Sequence, residues 1–115
     1  MTPDVLHSLE KTDLFEKFKH QMHRDFELSG LVEYSPNISS NHLNLLYDQV
    51  LNSVLQIEKN SFSGLTTLLY RIDITEHQIN TAAHQHPTMS LHHIIVELII
   101  KRELQKVVLK EQFSK

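Results

Sequence analysis

The chain has 115 residues and no cysteine, which removes disulfides, thiolate metal sites and cysteine nucleophiles from consideration. It has two glycines, Gly30 and Gly64. That excludes dinucleotide and mononucleotide phosphate loops, which need several glycines for the backbone to approach phosphate closely. Tryptophan is absent, and the tyrosines Tyr34, Tyr47 and Tyr70 are scattered, so no aromatic platform for single-stranded nucleic acid is expected. The longest run of branched aliphatics, Ile94-Ile95-Val96, is broken at once by Glu97, far short of a membrane span. The first residues, Met1-Thr2-Pro3-Asp4, carry neither a basic nor an apolar targeting region. A cytoplasmic protein with no membrane association is expected on these grounds.

The charge is modest. Fourteen acidic and eleven basic side chains leave −3, an unfavourable balance for binding nucleic acid or an anionic membrane non-specifically. Its distribution is uneven: residues 1–100 hold six Lys/Arg against twelve Asp/Glu, and residues 101–115 hold five against two. A basic C-terminal segment suits the negative end of a helix dipole. Histidine is the abundant residue. If all nine were protonated, the net charge would move from −3 to +6, so the surface charge reverses in mild acid.

Turn residues are too sparse for a β-rich domain, which would need them every 8–12 residues. The pattern predicts an all-α fold, a single domain over 1–115, built as a small up-down bundle of four to five helices. Pro3 suits a first helical position after Thr2, for a short helix near 3–10. Phe15, Phe18, Met22 and Phe26 recur at helical spacing, with Asp13 and Glu16 as a capping box and Gly30 past the end. Residues 31–40 read as a loop in which Ser39 or Ser40 can cap the next helix. Over 41–59, Leu43, Leu46, Tyr47, Val50, Leu51, Val54 and Ile57 form one half of a wheel and polar residues the other. Residues 62–84 read as two short helices joined at Asp73-Ile74, the second capped by Thr75 with Gln78.

The last helix, about 90–112, is apolar on two sides. Leu91, Ile94, Ile95, Leu98, Ile99, Leu109 and Phe113 lie on one, and Val96, Ile100, Leu104 and Val107 on nearly the opposite one. Both stripes require burial. The helix is therefore expected either at the centre of the domain or at a homodimer interface formed by Val96, Ile100, Leu104 and Val107. A buried strand over Ile94–Ile100 competes on β-branching, but the Lys/Arg/Glu/Leu/Gln continuation favours helix.

Three constellations could carry chemistry. Glu16, His20, His23 and Glu27 fall on one stripe of the first long helix, and imidazole with carboxylate is a transition-metal ligand set. The stripe points away from the phenylalanines, which places it in solvent. His84 and His86, with His93 and Glu97 one turn apart on the last helix, form a second candidate metal set. Residues 65–84 resemble a helix-turn-helix, with Gln78, Asn80, Thr81 and His84 available to base edges. That helix carries Glu76 and no Lys or Arg, so nucleic acid is not the expected partner. The sequence favours a non-enzymatic, self-associating or protein-binding helical module with no cofactor. Its alternatives are a histidine-based metal protein and a helix-turn-helix DNA-binding protein.

Overall fold

The computed structural model describes residues 3–113, with side chains from His7 onward. Its elements in order are α1 (Pro3–Glu10), α2 (Thr12–Leu28), a single 3-10 turn (Val32–Tyr34), α3 (Leu43–Asn60), α4 (Gly64–Ile72), α5 (Glu76–Gln85) and α6 (Leu91–Phe113). The fold is all-α, as the residue periodicities require. Six α-helices are present among the described residues, against four to five expected, and none of those residues is in a strand.

Local signals decide most of the boundaries. Gly30 has φ of 75° one residue past the C-cap of α2, a conformation open to glycine because it lacks a Cβ. Asp73 ends α4 in the left-handed region at φ 71°, which a short polar side chain tolerates. Thr75 then caps α5 reciprocally: the Gln78 amide N–H donates to Thr75 Oγ1 at 3.1 Å, and the Thr75 N–H donates to Gln78 Oε1 at 2.9 Å. Two expected caps are corrected. Lys11 occupies the N-cap of α2 without a side-chain bond, and Asp13 lies inside the first turn, where its charge meets the helix dipole instead. His42 is the N-cap of α3, and Ser40 Oγ accepts from the His42 N–H at 3.1 Å rather than from the helix itself. The expected Thr2 cap lies outside the described residues.

One hydrophobic cluster joins the helices. Phe18, Met22 and Phe26 of α2 meet Leu46, Val50, Val54 and Ile57 of α3, Leu68 and Ile72 of α4, and the middle of α6. At the turn into α4, a Cβ on Gly64 would stand 2.9 Å from Ile57 Cγ2 and 2.7 Å from Ser61 Oγ, so glycine permits the close approach of α3 and α4.

α6 is the central element and packs against each of the other five helices. That settles where its second stripe goes. Val96 and Ile100 are fully buried, and Leu104 and Val107 are 3% exposed, all within one chain. These four residues are core within the described chain, the first of the two coverings expected for this stripe. The exposed apolar residues of α6 are instead the ends of the first stripe: Leu91, Leu109 and Phe113. Replacing Ile100 and Leu104 together by Glu should therefore abolish the folded state, because two unpaired charges would enter the core. Circular dichroism should show loss of the cooperative thermal transition. A folded protein whose only change is a halved mass in solution would contradict this placement.

Candidate functional site

Among the described residues four polar side chains are buried; Ser53 is on α3, and Gln21, Asp25 and Glu103 lie where α2 and α6 meet. The two helices run antiparallel, since Lys17 pairs with Glu111, Gln21 with Lys110, and Asp25 with Lys106. Asp25 is 2% exposed and Glu103 is fully buried. Lys106 Nζ donates to Asp25 Oδ2 at 2.7 Å and stands 3.7 Å from Glu103 Oε1. Gln21, 7% exposed, donates through its amide nitrogen to Asp25 Oδ2 at 3.1 Å and accepts from Lys110 Nζ at 2.5 Å.

The two carboxyls are pushed in opposite directions. Burial is the largest influence on Glu103 and raises it to about 9; the proximity and charge of Asp25 add to this, and Lys106 opposes it more weakly. Glu103 is therefore a neutral carboxylic acid at pH 7. Burial alone would raise Asp25 as well, but contacts from Glu103, Lys106 and Gln21, with the Lys106 charge, outweigh it and hold Asp25 below its ordinary value. Among the described residues neither oxygen of Glu103 has a hydrogen-bond partner of ordinary geometry. The resulting unit is one cation, one carboxylate and one neutral acid, with no net charge, fastening α2 to α6.

Above this seam the surface opens into a groove of about 650 Å³. Lys17, His20, Gln21 and Arg24 line it from α2 at spacings of three, one and three, a single helix face. Val107, Lys110, Glu111 and Phe113 line it from α6. Phe113 is 84% exposed. Lys17 and Glu111, joined as an ion pair, also border a neighbouring hollow of about 740 Å³ that continues along the same seam past Lys11 and Leu14. Arg24 and His20 have no side-chain hydrogen bond or ion pair with any described residue.

The histidines of the two candidate metal sets do not gather among the described residues. On α2, Glu16 pairs with Lys19 at 3.0 Å, His23 Nδ1 meets Ser35 Oγ at 3.0 Å, and Glu27 is exposed. In the second set, His84 Nδ1 bonds the Asn80 carbonyl at 2.9 Å within α5, and His86 is the exposed C-cap of that helix. His93 meets Glu97 at 3.1 Å and packs its ring on Tyr47 at 4.8 Å. His92 reaches across to Glu58 of α3 at 2.8 Å. Among the described residues no three His, Asp or Glu side chains stand together as a metal ligand set. The reason is geometric: one stripe of one helix fans its ligands along the axis, and the second set is divided between α5 and α6.

The helix-turn-helix segment forms as α4, the Asp73 turn and α5, with Gln78, Asn80, Thr81 and His84 exposed. Arg102 of α6 closes the turn, donating to the Ile72 carbonyl at 3.2 Å and to Asp73 Oδ2 at 3.3 Å.

The buried unit had one visible trace in the sequence. Glu103 falls in the apolar register of Ile99, Ile100 and Val107, at −4, −3 and +4, where a charged residue is out of place. Comparison with protein-family models, with curated proteins and with solved structures gives no match. No helix among the described residues is long and apolar enough to cross a membrane.

Proposed function

We propose that the chain is a non-enzymatic helical interaction module that docks another protein in the groove between α2 and α6. The observation that carries this reading is the groove itself, with exposed Phe113 at its edge and unpaired Arg24 and His20 on its wall. Two packed helices with a cleft between their outer faces are a receptor for a third helix. The Asp25–Glu103–Lys106 unit supports the same reading, because it fixes the spacing of the walls and so lowers the ordering cost of docking.

A photo-crosslinking side chain placed at position 24 should give a discrete adduct of defined mass, identified by peptide mass spectrometry. The same group at position 80 on α5 serves as control. Adducts from position 80 with none from position 24 would reject the groove as the docking surface.

A further inference from the structure

The charges around the groove say what kind of partner fits it. The chain as a whole carries −3, yet this wall presents Lys17, Arg24 and Lys110, with the His20 ring beside them, against the single carboxylate of Glu111. Two of these cations already have work within the fold: Lys17 is paired with Glu111 and Lys110 holds Gln21. Arg24 does not, and neither does His20. They lie four residues apart on one face of α2, so a ligand running along the helix meets both. Beside them the apolar surface comes from Val107 and Phe113.

Resting on the docking reading above, we propose that the partner is an acidic amphipathic helix of another protein. It lays its apolar face on Val107 and Phe113 and directs carboxylates at Arg24 and His20. A helix is favoured over a small anion because the cleft follows the seam of two antiparallel helices and continues into the neighbouring hollow beyond Lys17. Such a length offers anchors to residues spaced three and four apart. Carboxylates are favoured because the unengaged charge on the groove wall, Arg24, is basic and the cations Lys17 and Lys110 flank it, and charge complementarity selects among partners by repelling those of like sign; in the neighbouring hollow Lys11 and Asp13 balance. Val107 is only 3% exposed, so it supplies the floor, and Phe113 supplies the accessible area.

The test uses the full chain, isotopically labelled, and two synthetic helical peptides. Both have leucine at i, i+3, i+4 and i+7; one has glutamate at the flanking positions and the other lysine. The glutamate peptide should shift amide resonances of α2 around residues 17–24 and of α6 around 107–113. It should bind at least about tenfold more tightly than the lysine peptide, and its affinity should fall as salt is raised. The double substitution His20→Glu and Arg24→Glu should weaken it by about tenfold or more, while Arg24→Lys keeps most of the binding. The helical spectrum and melting curve of each variant show that the fold is intact. Equal binding of both peptides, or shifts confined to α3–α5, would overturn the proposal. Crosslinks from position 24 without glutamate-peptide binding would overturn the acidic partner and leave the docking surface standing. If sedimentation shows a second copy of the chain seated in the groove, the partner assignment is likewise overturned.

Discussion

Glu103→Gln should flatten the pH dependence of stability between about pH 5 and pH 9. In the unfolded chain Glu103 ionises near its ordinary 4.5, whereas in the folded chain it keeps its proton to about 9. Between these values the folded state holds one more proton than the unfolded state. Stability then falls as pH rises, by about 1.4 kcal/mol per pH unit for one proton. Below 4.5 and above about 9 this contribution is level. Asp25 acts at the other end: its lowered carboxyl stabilises the fold above the ordinary 3.8 and loses that contribution as pH falls through its folded value. Together the two groups favour mild acid. Glutamine has nearly the shape of the neutral acid and can still direct an N–H toward Asp25, so the variant should match the wild type within about 1 kcal/mol near pH 5. It should then become the more stable protein as pH rises. Urea unfolding at several pH values reads this directly. Parallel curves for the two proteins would mean that Glu103 does not hold its proton.

Removing the cation from the same unit should have a large effect of the opposite sign. Lys106→Met leaves the Asp25 carboxylate with 3% of its side chain exposed and its closest counter-charge gone. Truncating one partner of a buried ion pair costs about 3 kcal/mol, more than the pair is worth relative to an apolar replacement, because the surviving charge is stranded. In a chain of 115 residues that corresponds to a fall in melting temperature on the order of 10 °C. Asp25→Asn in the Lys106→Met background should recover a good part of the loss, since no buried charge remains. The double-mutant cycle gives the coupling without assigning it to either residue. If Lys106→Met melted within about 1 °C of the wild type, the unit would not be what fastens α2 to α6.

What could be read from the sequence was what adjacent residues decide. The one-sided wheel of α3, the junction at Asp73-Ile74, the Thr75–Gln78 box and the turn at Gly30 each depend on residues within a few positions of each other. The fate of α6 does not. Its two stripes required two coverings, and whether the second came from the same chain depended on how α1 to α5 wrap around it. The histidines met the same limit. Spacing placed Glu16, His20, His23 and Glu27 on one stripe, but convergence on a metal requires ligands from a second element, and among the described residues no three such side chains stand together.

Glu103 was hidden for a further reason. A glutamate inside an amphipathic pattern ordinarily marks the solvent side. Here it stands in the apolar register because Asp25 and Lys106 complete a neutral group around it, and Asp25 lies 78 positions away in the chain. Its position among Ile99, Ile100 and Val107 was the available sign. The groove above it was equally non-local, since its two walls come from opposite ends of the chain.

Within the described chain both faces of α6 are covered, and the groove beside α2 is left open. Amide hydrogen exchange along α6, measured at two protein concentrations a hundredfold apart, tests that covering most directly. The amides of Ile95 to Leu104 should exchange only through global unfolding, at rates independent of concentration. Protection of these amides that fades on dilution would show that a second chain covers the Val96–Ile100–Leu104–Val107 stripe, and would contradict the account.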